Sequence, residues 1–199
     1  PRQMTMGLKI CGVSDPEILN YILNHPIPPK FIGFITNYKK SKRFVEFEKL
    51  KNLLMIDKKN TKFVSVLVNP TDEILESIKD LNFDYYQLYD VSPNRTKEIK
   101  KKYNIKIISA LTISKREDVD KYKNYSNISD IILFDSKGYH KSESFDHDLL
   151  DWVPNTLNKM IAGNIQIEDI PNFKNKDYII DLSGALEDKS GKKDINRIN

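Results

Sequence analysis

A short apolar strand near the start of the chain, Leu8-Lys9-Ile10, runs straight into the single cysteine, Cys11, and Gly12 follows at once. A residue at the carboxyl end of such a strand faces the crevice where α/β proteins hold ligands, which places the thiol for chemistry rather than for packing. Two acids occupy comparable stations, Asp135 just past Ile131–Phe134 and Asp181 within Tyr178–Leu182. Alternation of side chains along a strand puts Lys9 on the side of Cys11, Leu133 with Asp135, and Ile179 with Asp181. A lysine, a thiol and two carboxyls therefore converge if these strands line one cavity. An ammonium one layer below the thiol can pair with a buried acid, or lower the thiol pKa and so raise its thiolate fraction.

What positions these groups is a regular alternation of elements. Apolar, β-branched runs at Leu8–Cys11, Phe31–Ile35, Phe63–Val68, Tyr85–Leu88, Ile105–Ala110, Ile131–Phe134, Met160–Ala162 and Tyr178–Leu182 give eight strands. Between them, Pro16–Leu23, Val45–Ile56, Glu73–Leu81, Arg95–Tyr103 and Lys115–Tyr125 show the 3.6-residue period of amphipathic helices. Helix starts are marked at Ser14-Asp15-Pro16-Glu17, spaced as a capping box, at Asn69-Pro70-Thr71-Asp72 and at Ser92-Pro93. Eight βα units imply a parallel sheet with right-handed crossovers, closed as a single-domain (β/α)8 TIM barrel of the α/β class over residues 6–199. A doubly wound open sheet is the less favoured arrangement, because no G-x-G-x-x-G turn follows the first strand. Pro1 to Thr5 fit no element and read as a disordered or added leader.

Composition narrows the function classes. The formal charge is +4, but only 5 of the 32 basic residues are Arg, the usual reader of bases and phosphates, and the lysines are scattered among acids on helix faces. Nucleic-acid binding is not expected. No apolar run is long enough to span a bilayer, no secretion signal is visible, and one cysteine permits no internal disulfide. A cytoplasmic protein without membrane contact follows, as monomer or homodimer. His25, His140 and His147 have no metal-ligand spacing, and no metal or cofactor is expected.

The motifs in order resemble those of the phosphoribosylanthranilate isomerases. Lys9-Ile10-Cys11-Gly12 is similar to that family's opening strand, Gly33-Phe34 and Ser41-Lys42-Arg43-Phe44-Val45 to its second βα loop, and Gln87-Leu88 to its fourth strand end. Leu133-Phe134-Asp135-Ser136 with Phe145-Asp146 resembles the sixth loop, Ile161-Ala162-Gly163 the seventh, and Asp181-Leu182-Ser183-Gly184-Ala185-Leu186-Glu187 with Gly191-Lys192-Lys193-Asp194 the eighth. The resemblance implies a cofactor-free Amadori rearrangement of a small phosphorylated substrate. It makes Cys11 the general base and Asp135 the general acid. It also makes Arg43, Gln87 and Asp181 substrate-binding, with Gly163, Asn164, Ser183 and Gly184 holding the phosphate.

Three departures stand out. The run from Lys137 to Ser144 lacks most of the family's glycines, so Lys141 or Ser142 could replace backbone contacts there. Tyr89 stands where the family has His, and Asn164 stands for its second Gly. A non-catalytic phosphate-binding barrel and a related sugar-phosphate isomerase are the alternative readings.

Overall fold

The computed structural model describes residues 7–136, 147–173, 176–188 and 192–198; the expectations for residues 1–5, Lys141, Ser142 and Phe145-Asp146 lie outside them. The strands are β1 (Leu8–Cys11), β2 (Phe31–Ile35), β3 (Lys62–Val68), β4 (Tyr85–Tyr89), β5 (Lys106–Thr112), β6 (Ile131–Asp135), β7 (Lys159–Ala162) and β8 (Tyr178–Leu182). They form a closed, all-parallel barrel in sequence order. The seam between β8 and β1 closes in the register Leu8 with Ile180, Lys9 with Asp181 and Ile10 with Leu182.

Period-two alternation sorts the apolar residues into two layers. Outward-facing Ile32, Phe34, Phe63, Leu67, Ile132, Phe134, Ile161 and Ile180 pack under the helices, against Leu19 and Ile22 of α1 (Pro16–Leu23) and Leu50 and Leu53 of α2 (Phe47–Leu54). Inward-facing Phe31, Val64, Ile108, Ile131, Leu133 and Met160 fill the lower barrel, with Tyr85 and Ile179 against them. Toward the carboxyl ends of the strands this filling gives way to Lys9, Cys11, Gln87, Asp135 and Asp181, all buried.

Several boundaries differ from the sequence expectation, each for a local reason. Strand pairing carries β4, β5 and β6 to Tyr89, Thr112 and Asp135, since Tyr89 pairs with Val68 and Thr112 with Asp135. α2 starts at Phe47 rather than Val45, because the Val45 amide still donates to the Ile35 carbonyl. α1 is capped by Asp15, whose carboxylate accepts from the Glu17 amide, and not by a Ser14 capping box. α3 (Asp72–Ile78) and α4 (Pro93–Tyr103) are capped by the Thr71 and Ser92 hydroxyls. The segment expected as one helix over Lys115–Tyr125 is a single turn, α5 (Arg116–Val119), followed by a 3-10 turn at Asp120–Asn124. Val119, Asp120, Tyr122, Asn124 and Tyr125 in this stretch are all weak helix formers. The connection before β8 is also 3-10, with Pro171 inside it unable to donate.

The amino-terminal rim repeats one device. Asp84 accepts hydrogen bonds from the Phe63 amide at 2.8 Å and from Lys58 Nζ at 2.8 Å, and Asp130 accepts from the Ile107 amide at 2.8 Å and from Lys100 Nζ at 2.6 Å. Each carboxylate ties a strand start to a lysine that precedes it, Lys58 in the loop before β3 and Lys100 on α4, on the face that in barrels serves stability. Asp130→Ala is expected to lower unfolding free energy by about 1–3 kcal/mol in denaturant titrations, while leaving ligand affinity at the opposite rim unchanged.

Candidate active site

Lys9 is fully buried and its Nζ donates to Asp181 Oδ2 at 3.0 Å across the β1–β8 seam. Adjacency of the two residues in the strand register is what brings them together. Burial acts to strip the Lys9 proton, but attraction to Asp181 and to Cys11 outweighs it and holds the ammonium above its ordinary range. Burial pushes the Asp181 carboxyl up while Lys9 opposes the rise. Asp181 Oδ1 and Gln87 Oε1 are buried acceptors without a hydrogen-bond partner.

Cys11 sits one layer above Lys9, beside Gly33 of β2. A Cβ at Gly33 would lie 3.0 Å from Cys11 Sγ and 3.1 Å from Lys9 Cε, so the absence of a side chain there makes room for both. The sequence expectation that Lys9 depresses the thiol pKa is met only in part. Lys9 and Lys193 both pull the value down, but burial is the larger effect and leaves the thiol above its usual range.

Across the barrel, Asp135 ends β6 and is 4% exposed. The Tyr89 hydroxyl at the end of β4 donates to Asp135 Oδ2 at 2.8 Å, and Gln87 Nε2 approaches the same phenol oxygen at 3.4 Å. Burial first, then the charges of Asp135, Asp181 and Cys11, drive the Tyr89 pKa well above its ordinary value. Cys11, Asp135 and Asp181 all stand at or near the carboxyl ends of strands of one closed barrel, and so share its mouth with Tyr89.

Arg43, in the loop after β2, is turned toward the loop after β8. Its Nε and Nη2 donate to Glu187 Oε2 and Oε1, each at 2.5 Å, as a two-pronged pair. Lys193, buried, donates to Glu187 Oε2 at 2.8 Å and to the Ser183 carbonyl at 2.9 Å. Glu187 is also buried, and its hydrogen bonds with these two cations overcome the effect of burial and hold its carboxyl below its usual range. Glu187 and Lys193 stand in the motifs quoted for the eighth loop but were given no role; the pairing of Glu187 with Arg43 spans 144 residues of sequence and leaves no local pattern.

The expected phosphate-binding residues lie at the ends of β7 and β8 on this same rim. Gly163 has φ +102°, and a Cβ there would collide with Ser136, whose hydroxyl donates to the Gly163 carbonyl at 3.2 Å. Asn164 follows in the left-handed region at φ 50°. The loop and turn hydrogen bonds of the described residues include none donated by the amides of Gly163, Asn164, Ser183 or Gly184. Among the described residues no group of three or more His, Cys, Asp or Glu is arranged to hold a metal ion, and no helix is long and apolar enough to cross a membrane.

A family model described as N-(5'phosphoribosyl)anthranilate (PRA) isomerase matches residues 8–199. The chain belongs to this family. The isomerase of Campylobacter jejuni is 33% identical over 199 residues, covering 97% of this chain and 95% of the relative. That of Rhizobium rhizogenes is 30% identical over 207 residues, covering 98% and 92%. Among solved structures, the Thermotoga maritima phosphoribosyl anthranilate isomerase superposes with a TM-score of 0.85 at 23% identity, covering 98% of this chain and 95% of its own. A phosphoribosyl anthranilate isomerase in complex with reduced 1-(o-carboxyphenylamino)-1-deoxyribulose 5-phosphate superposes at 0.83, also at 23% identity and with the same coverage. These likenesses establish the barrel of the family in this chain.

The geometry at the seam predicts an asymmetric response to mutation. Lys9→Met leaves Asp181 as an uncompensated buried acid and should cost about 3–5 kcal/mol. The paired change Lys9→Met with Asp181→Leu should recover most of that stability, as read by thermal and denaturant unfolding. A double variant as unstable as Lys9→Met would show that the ion pair is not the source of the loss.

Proposed function

We propose that this chain is a phosphoribosylanthranilate isomerase of tryptophan biosynthesis, converting N-(5-phosphoribosyl)anthranilate to 1-(2-carboxyphenylamino)-1-deoxyribulose 5-phosphate by an Amadori rearrangement. Family membership supports the activity. The observation that carries the residue roles is the convergence of Cys11 and Asp135, from β1 and β6, on one mouth with Tyr89 in the field of both.

In this reading Asp135 protonates the ribose ring oxygen. The C1′–O bond breaks as the anilino nitrogen lone pair forms the C1′ iminium. Cys11, as thiolate, removes the C2′ proton, and the C–H electrons form the C1′–C2′ double bond while neutralising the iminium. Tautomerisation of the resulting enol gives the ketone. No electrons enter or leave the substrate, so acid and base suffice. Arg43 keeps Nη1 for the anthranilate carboxylate, its other two donors being committed to Glu187. Gln87 and Asp181 each bring a buried, unpartnered acceptor to the donors of the opened sugar. The amides around Gly163, Asn164, Ser183 and Gly184 receive the phosphate, as loops after the seventh and eighth strands do in many barrels. A base that must stay a free thiol suits the reducing cytoplasm.

Turnover of phosphoribosylanthranilate by the purified protein tests the activity. Cys11→Ser and Asp135→Asn should each reduce kcat by at least about a hundredfold, with circular dichroism and melting temperature close to wild type. Wild-type rates in either variant would reject that residue's role. Because burial raises the thiol pKa, alkylation of Cys11 in the ligand-free protein should accelerate with pH and reach half its limiting rate at a higher pH than for a free cysteine. A product analogue should slow this labelling, and equal rates with and without it would put the thiol outside the binding site.

A further inference from the structure

Tyr89 is partly exposed at the barrel mouth and donates its hydroxyl hydrogen to Asp135 Oδ2 at 2.8 Å. The Gln87 side chain, from two residues earlier on β4, offers Nε2 to the phenol oxygen at 3.4 Å. With that oxygen approached by a donor, the phenolic hydrogen is left to point at the carboxyl. Resting on the isomerase reading above, we propose that Tyr89 is a positioning residue that tunes the acid strength of Asp135 by donating a hydrogen bond to the carboxylate left when Asp135 gives up its proton.

The chemistry follows from which form of the acid the bond favours. A phenol donor stabilises the carboxylate more than the neutral acid, because hydrogen bonds to charged acceptors are the stronger ones. Asp135 is buried, and burial alone would weaken it as an acid. The Tyr89 hydroxyl counters this as the proton moves to the ribose oxygen, when negative charge develops on Oδ2. Tyr89 itself keeps its proton throughout, since burial and the surrounding acids raise its pKa well above the ordinary value. It is a fixed neutral donor, not a second acid.

The charged and titratable groups facing this pair are few among the described residues. β1 contributes Cys11 and Lys9, β8 contributes Asp181, and β6 contributes Asp135 itself. At this height β2, β3, β5 and β7 present Gly33, Val66, Ala110 and Ala162, none of which titrates. Lys9 is committed to Asp181, and Arg43 and Lys193 to Glu187, on the β1, β2 and β8 side. Tyr89→Phe alters none of these groups and removes the hydroxyl donor alone.

The test reads the Asp135 carboxyl directly, by carbon-13 NMR of aspartate-labelled protein over a pH series, with Asp135→Asn supplying the assignment. Tyr89→Phe keeps the ring and removes the donor; it should raise the Asp135 midpoint by about one to two pH units. The limb of the kcat/KM profile that belongs to Asp135 should move up with it, and the Cys11 limb should stay. Tyr89→His, which restores a donor, should return the midpoint to the wild-type value or lower. A folded Tyr89→Phe protein whose Asp135 midpoint is unmoved or lowered overturns the proposal. Lack of turnover by the wild-type protein would count against the isomerase reading alone, because the carboxyl titration needs no substrate.

Discussion

The ion pair between Lys9 and Asp181 is the constraint around which the rest of this barrel is arranged. It joins the first strand to the last at the seam where the sheet closes, with an Nζ to Oδ2 distance of 3.0 Å and the lysine wholly out of water. Burying two ions is expensive, and a pair of well-packed apolar side chains would hold the seam at lower cost. What the ion pair brings instead is a fixed positive charge directly below the thiol. Its size also dictates its neighbours: Gly33 must lack a side chain, because any Cβ there would crowd both the lysine stem and the sulfur.

Charge in the mouth is polarised from one side to the other. Around β1, β2 and β8 the cations Lys9, Arg43 and Lys193 face the two carboxylates Asp181 and Glu187, so that side carries one excess positive charge. Opposite, at β6, stands Asp135 with the Tyr89 hydroxyl. In the proposed reaction, a substrate with a carboxylate and a phosphate would be drawn toward the cationic side, its sugar ring spanning the gap toward Asp135. Glu187 shapes this field as much as the cations do. By taking two donors of Arg43 and one of Lys193 it fixes the direction of both side chains and leaves only part of their charge for a ligand.

Much of this was legible in the sequence because barrel geometry turns linear periodicity into position. Strand alternation alone put Lys9 with Cys11 and pointed Asp135 and Asp181 into one cavity, and β1, β2, β8 and α1 have the bounds their apolar runs suggested. Local hydrogen bonding was less readable: Ser14 and Asp15 are equally plausible caps by type, and the chosen one depends on backbone angles. The thin outer layer after β5 was overestimated because an amphipathic pattern says nothing of how weakly a turn holding Asp120, Tyr122 and Asn124 propagates a helix. Glu187 stood in the eighth-loop motif without a role for a different reason. Its partner lies 144 residues away, and such pairing is a property of the closed barrel rather than of any window of sequence. Tyr89 was visible as a departure from the family pattern, but its contact with Asp135 needed coordinates.

The same geometry bears on how the opposite protonation states that the proposed reaction needs could coexist at one barrel mouth. The thiol is buried between two lysines, yet burial prevails and keeps it largely protonated, so the thiolate is a minor form that the Lys9 and Lys193 charges make accessible. A group titrating near neutrality between Cys11 and Asp135 would link the two ionisations, and a cation there would hold Asp135 as carboxylate while drawing the thiol proton off. Tyrosine at position 89 avoids this coupling. It is neutral across the working range and donates to Asp135 without adding charge to the field at the sulfur. In the proposed mechanism the acid and the base would thereby be tuned by separate neighbours, Asp135 by a neutral hydroxyl on β4 and Cys11 by the cations of β1 and the loop after β8, so that each could be set without unsetting the other.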